Sequence, residues 1–175
     1  MRMLSKAAAL SAVALLVTVG SAVAETKVTV SNVHLCCGAC VTAVNKALAD
    51  IDGITHESDR QAKTVAITAA SDEAAQKAVT ALQEAGFYGK SDNEKAKFAE
   101  VKAPEGKVKR LELTGVHNCC GQCNTAINKA LGGVDGVASN TAKAKESSFV
   151  VEGDFSAAAV VSALLDIGFA VQVKE

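Results

Sequence analysis

Val28 and Val30 alternate with polar residues, the period of a half-buried strand, and Leu111 and Leu113 do the same much later in the chain. Each strand is followed by helical spacing: Val41, Val44, Leu48 and Ile51 in the first case, Ile127, Leu131 and Val134 in the second. Asp52-Gly53 and Asp135-Gly136 stop these helices and turn the chain. A weak strand is expected over 54–58, and another through Val65 and Ile67, matched by Phe149 and Val151. Ser71 is a good N-cap for a second helix carrying Ala75, Val79 and Leu82. Its counterpart carries Ala159, Ala163, Leu164 and Ile167. Gly86 and Gly168 stand where a helix C-terminal glycine belongs, and a last strand is expected to begin at Phe87 and at Phe169. The order βαββαβ, read twice, is the ferredoxin-like unit of the α+β class: two helices on one face of a four-stranded antiparallel sheet.

The two units are copies. Val33-His34-Leu35-Cys36-Cys37-Gly38-Ala39-Cys40 recurs as Val116-His117-Asn118-Cys119-Cys120-Gly121-Gln122-Cys123. Asn45-Lys46-Ala47-Leu48 recurs as Asn128-Lys129-Ala130-Leu131, and Gly86-Phe87 as Gly168-Phe169. This divides the chain into a first unit, 25–91, a connecting segment, 92–107, and a second unit, 108–175. A unit of this size folds alone with little margin. The connecting segment is rich in Lys, Glu and Asp and holds the single proline, Pro104. As a solvated, flexible coil it would span roughly 20–25 Å, which lets the units either face each other or act separately. Phe98 is the residue in it able to dock on a unit.

Residues 1–24 read as a secretory leader. Arg2 and Lys6 precede an apolar run over 7–19, and Ala22-Val23-Ala24 fits the small-x-small cleavage pattern. The run is shorter than the roughly 18–20 residues needed to span a bilayer. Cleavage after Ala24, a soluble mature chain without membrane insertion, and a periplasmic or secreted location are expected.

Hydrophobic residues make up 49% and charged residues 21%, ordinary globular proportions that argue against a disordered chain. A formal net charge of −1 leaves no basic footprint for nucleic acid, and the absence of Trp leaves no base-stacking platform. There is no nucleophile motif and no paired-carboxylate signature, so no enzymatic activity is expected.

The six cysteines all lie in the two repeated blocks, between the first strand and the first helix of each unit. Unpaired N–H groups at a helix N-terminus favour negative charge, so a cysteine there has a lowered pKa and more thiolate character. Thiolates are the form that binds soft or borderline metals. The two-residue gap between Cys37 and Cys40, and between Cys120 and Cys123, lets both sulfurs of a pair converge on one ion. Gly38 and Gly121 allow the tight turn between them.

On these residues and this order of elements, nearly the whole chain outside 1–24 and the connecting segment resembles a tandem of heavy-metal-associated (HMA) domains, the family of copper chaperones and of the N-terminal modules of metal-transporting ATPases. The family's Met-x-Cys-x-x-Cys motif implies Cys37 with Cys40, and Cys120 with Cys123, as metal ligands. The chain departs from it by holding Leu35 and Asn118 at the Met position, by an additional Cys36 and Cys119, and by His34 and His117 two residues earlier still. His34, Cys36, Cys37 and Cys40 offer three sulfurs and one nitrogen, a set that suits tetrahedral Zn(II). Two or three sulfurs alone suit Cu(I). The expected function is sequestration, buffering or transfer of Cu(I) or Zn(II), about one ion per unit, with a metal donor or acceptor protein as partner. Independent sites would mean that Cys37→Ser with Cys40→Ser empties the first unit and spares the second. Two alternatives stand beside this: a thiol–disulfide module using the same Cys-x-x-Cys pairs, because exported cysteines often oxidise, and a metal-free interaction module. The repeated histidine favours metal, since a structural disulfide has no use for it. Phe87 and Phe169 are expected to pack near the cysteine loops, as core or as a shield. His56, opposite Ser139 in the second copy, is expected to be a surface residue without a role.

Overall fold

A computed structural model describes residues 25–174; the leader read at 1–24 lies outside the described residues. The first unit runs β1 (Thr26–Ser31), α1 (Gly38–Leu48), β2 (Ile54–Asp59), β3 (Thr64–Ala69), α2 (Asp72–Glu84) and β4 (Lys90–Ser91). The second runs β5 (Lys107–Thr114), α3 (Gly121–Gly132), β6 (Val137–Asn140), β7 (Phe149–Ser156), α4 (Ala157–Leu165) and β8 (Gln172–Val173). The two four-stranded antiparallel sheets have orders β2-β3-β1-β4 and β6-β7-β5-β8. These are two ferredoxin-like α+β units. No helix among the described residues is long and apolar enough to cross a membrane.

The alternation read in the sequence is the alternation of burial. Val28 and Val30 of β1 face inward with Val65, Ile67 and Ala69 of β3, and Leu111 and Leu113 of β5 face inward with Phe149 and Val151 of β7. The Ser71 hydroxyl accepts from the Ala74 N–H and starts α2. Three expectations change in detail. The buried face of α1 begins at Cys40, not Val41, and continues through Val44 and Leu48; α3 repeats it with Cys123, Ile127 and Leu131. The buried face of α4 is Ala157, Val160, Val161 and Leu164, so Ala159 and Ala163 do not lead it. The last strands begin at Lys90 and Gln172, because Phe87 and Phe169 form an antiparallel bridge with each other instead.

That bridge joins the two units. The Tyr88 N–H donates to the Gly168 carbonyl at 3.1 Å, and the Ala170 N–H donates to the Gly86 carbonyl at 3.0 Å. The Asn32 amide donates to the Asp166 carbonyl at 2.8 Å. Gly86 (φ +86°) and Gly168 (φ +88°) are helix C-terminal glycines, as expected, and they are also where the backbones meet. A Cβ on Gly86 would lie 2.3 Å from the His117 nitrogen, and a Cβ on Gly168 would lie 2.5 Å from the His34 nitrogen. One continuous apolar core runs through both units.

The connecting segment is docked rather than free. Gln76 and Gln83, on one face of α2, each clamp a backbone amide unit with both ends of the side chain. Gln76 donates to the Lys97 carbonyl and accepts from its N–H, both at 2.9 Å. Gln83 does the same at Ala99, at 2.9 and 2.8 Å. Ala96 is fully buried, and Phe98 packs on Tyr88 with ring centroids 4.8 Å apart. The units therefore face each other, and the segment holds them there.

Gly106 (φ +77°) has open space where a Cβ would go, so Gly106→Ala carries only the left-handed strain of about 1–2 kcal/mol. Gly86→Ala adds a backbone collision across the seam and should cost at least about 2 kcal/mol more. Urea denaturation of both variants checks this; equal losses would show that the seam carries no stability.

Candidate metal centre

Each repeated block leaves its strand, crosses between the units and enters a helix at Cys37 or Cys120. These residues are the N-caps of α1 and α3, and neither makes a side-chain cap hydrogen bond. Their sulfurs are therefore free to turn toward other partners. Cys40 and Cys123 lie on the buried faces of their helices, while Cys36, Cys37, Cys119 and Cys120 are half-buried around them. Because the units face each other, the two blocks do not form two separate sites. All six thiols meet in one cluster.

The distances define its shape. Within the blocks, Cys36–Cys40 is 3.6 Å, Cys37–Cys40 3.8 Å, Cys119–Cys123 3.7 Å and Cys120–Cys123 3.8 Å. Between the blocks, Cys36–Cys123 is 3.4 Å, Cys36–Cys120 3.7 Å, Cys40–Cys119 3.8 Å, Cys37–Cys119 3.9 Å and Cys37–Cys120 4.0 Å. Cys36–Cys37, Cys119–Cys120 and Cys40–Cys123 lie within 4.8 Å. This is the connectivity of an octahedron of sulfurs. All six cysteines are free thiols. Zinc–thiolate bonds of about 2.3 Å at tetrahedral angles put two sulfurs ~3.8 Å apart, so the spacing fits sulfurs that share an ion.

The histidines flank the sulfurs. A ring nitrogen of His34 lies within 4.8 Å of the sulfurs of Cys36 and Cys123, and His117 holds the matching place in the second block. The His34 ring stacks on Phe169 of the second unit at 4.2 Å, and His117 stacks on Phe87 of the first at 4.3 Å. Phe87 and Phe169 are thus core residues that also carry the opposite histidine. The Nε2 atoms of both histidines are buried and accept no hydrogen bond. An orphaned buried polar atom costs about 1–3 kcal/mol, so two of them beside six thiols call for a ligand. Burial pulls the His34 pKa down, partly offset by the charge of Cys40, which keeps the imidazole neutral with a lone pair to give.

The thiols do not ionise alike. Cys120 is lowered to about 6, first by the backbone N–H of Cys123 and helped by that of Gln122, at the start of α3. The equivalent residues Cys40 and Cys123 face each other within 4.8 Å, and their proximity favours one thiolate over two: Cys40 is pulled down and Cys123 is pushed up. Burial pushes Cys36 up, and it pushes Cys119 up to about 12. Without a cation the cluster cannot hold six negative charges; a bound cation reverses that balance.

The two blocks differ around this core. Leu35 is plainly buried, whereas the buried Asn118 amide donates to Asn124 at 3.1 Å and to the Lys143 carbonyl at 2.8 Å. The Arg60 guanidinium donates to the Cys36 carbonyl at 3.3 Å and brings positive charge beside the first block. Sequence reasoning did not single out Arg60; only the fold brings the β2–β3 turn to the loop. His56 is half-buried and bonded to Asn45 at 3.1 Å, and it is not among the cluster's donor groups.

In the reduced, metal-free chain, the rate of iodoacetamide labelling at Cys120 should rise as pH passes through about 6 and level off above it, since the thiolate forms above the pKa. Cys120 should be labelled ahead of Cys36 and Cys119 at pH 7, as read by peptide mass mapping. Equal labelling of the three would contradict the asymmetry.

No family model matches the chain, and no curated protein matches it. Among solved structures it is similar to the N-terminal soluble domains of Bacillus subtilis CopA, at 17% identity over 87% of this chain and 95% of that chain, with a TM-score of 0.32. It is also similar to the first two RRM domains of the yeast poly(U)-binding protein Pub1, at 12% identity over 85% of this chain and 98% of that one, with a TM-score of 0.28. Scores this low carry nothing beyond the likeness itself.

Proposed function

We propose that this chain is an exported soft-metal-binding protein that sequesters, buffers or hands on Cu(I) or Zn(II) through one centre built jointly by its two cysteine blocks. The observation that carries this reading is the convergence of six free thiols, with sulfurs of opposite blocks as close as 3.4 Å, beside two imidazole nitrogens that lack any partner. Soft thiolates select Cu(I) and Zn(II) over hard cations. The half-buried rim sulfurs of Cys36, Cys37, Cys119 and Cys120 suit exchange, because an incoming thiolate of a donor or acceptor protein can replace one ligand at a time. Export rests on the leader pattern over 1–24. The metal is cargo in this reading, and the chain's own task is to hold it and release it.

A joint centre changes what a mutation does. Cys37→Ser with Cys40→Ser removes two corners of a shared octahedron, so Cys119 of the second block should lose protection as well. The experiment is metal analysis of the purified chain combined with alkylation before and after a chelator. Bound copper or zinc, with Cys119 shielded in the parent and exposed in the double variant, is the expected result, because Cys119 lies 3.9 Å from Cys37 and 3.8 Å from Cys40. A Cys119 that stays shielded in the variant would mean independent sites. A chain with no metal and a reversibly falling thiol count would move the assignment to thiol–disulfide exchange.

A further inference from the structure

The eight donor groups sort into two sets of four, and each set crosses the seam. The sulfurs of Cys36, Cys120 and Cys123 form one compact triangle, with edges of 3.7, 3.4 and 3.8 Å. Those of Cys37, Cys40 and Cys119 form the other, with edges of 3.8, 3.9 and 3.8 Å. They are opposite faces of the octahedron and exchange places when the two repeats are interchanged. Every edge is near the ~3.8 Å of two thiolates on one tetrahedral zinc. His34 stands beside Cys36 and Cys123, an edge of the first triangle. His117 takes the place of His34 when the repeats are interchanged, stacked on Phe87 at 4.3 Å with its Nε2 buried and unpartnered.

The geometry points to two tetrahedral sites for a borderline divalent ion, Zn(II) by its donor set: Cys36, Cys120, Cys123 and His34 hold one, and Cys37, Cys40, Cys119 and His117 hold the other. This rests on the shared-centre reading above and extends it to ligand assignment. It uses every donor once, respects the repeat, and gives each orphaned Nε2 an occupant. Three sulfurs and one imidazole are a closed donor set for zinc. Each ion displaces the protons still on its three thiols to solvent and takes the lone pair of a neutral imidazole, with no change of oxidation state. Neither site is the property of one block: two of its cysteines come from one repeat, and the third cysteine and the histidine come from the other. Phe87 and Phe169 hold the imidazoles from the opposite unit, so metal retention is tied to the docking of the two units.

The test is titration of the reduced, metal-stripped chain with Co(II) as a coloured stand-in for Zn(II), followed by displacement with Zn(II). Two ions per chain with the visible bands of tetrahedral sulfur-rich cobalt are expected. Two double variants then separate the assignments. Cys37→Ser with Cys119→Ser takes one residue from each block but two ligands from the same site, so one tetrahedral ion and about half the absorbance should remain. Cys36→Ser with Cys37→Ser takes both residues from one block but touches both sites, so neither ion should keep the parent spectrum. The reverse pattern, with the second variant keeping half and the first keeping none, would establish one site per block and overturn the assignment. His34→Phe keeps a ring against Phe169 and removes both ring nitrogens; it should alter the bands of one ion and spare the other, and an unchanged spectrum would overturn imidazole ligation. Binding of Cu(I) but not of Co(II) or Zn(II) would overturn this inference and leave the soft-metal reading standing, whereas binding of none of the three would defeat both.

Discussion

The backbone contact at Gly86 and Gly168 is the constraint on which the rest of the structure depends. Each glycine ends a helix in the left-handed region and has the opposite block's backbone where a Cβ would be. The hydrogen bonds across this contact set the two units in one relative position, and Phe87 and Phe169, fixed by the same turns, carry the opposite histidines. Without the seam, each block would be a short thiol loop at the start of a helix. With it, six sulfurs and two imidazoles are held in one place. The docked segment along α2 adds to this by shortening the search: clamped at Lys97 and Ala99, it presents the second unit rather than letting it roam.

The electrostatics follow from that convergence. A helix N-terminus favours a thiolate, and either block alone would gain by it. Brought together, six such groups oppose one another. The outcome is a cluster in which Cys40 and Cys120 are favoured as thiolates while Cys36, Cys119 and Cys123 hold their protons. Such an arrangement is poised for cations. An ion bridging the blocks would also bridge the units, and so would stabilise the docked state by mass action.

The order of elements was legible because the period of the apolar residues switches cleanly from two to the helical spacing, and because Ser71, Gly86 and Gly168 mark helix ends. The residues of the site were legible as types, since all the cysteines fall in the repeated blocks. Their convergence was not. A repeat says that two units are alike and nothing about where they sit, and Gly86 and Gly168 had one sufficient local explanation as helix caps, which hid the second. Cys40 and Cys123 carried a usable signal: they stand four residues ahead of Val44 and Ile127, on the line that continues to Leu48 and Leu131, which places them on the core side. The face of α4 was obscured because Ala157–Leu165 is apolar nearly all round, so periodicity had little contrast to work with. The docking of the connecting segment depends on Gln76 and Gln83, whose spacing on α2 reads like any other solvated face.

The central claim is that the two blocks form one thiol centre, and short-reach bis-alkylation of the reduced, metal-free chain tests it most directly. A bifunctional thiol-reactive cross-linker spanning only a few ångströms, followed by peptide mapping, reports which cysteines are neighbours. Bridges between the blocks, above all Cys36 to Cys123 at 3.4 Å, are the predicted result. Bridges confined to Cys36, Cys37 and Cys40 on one side and Cys119, Cys120 and Cys123 on the other would contradict it.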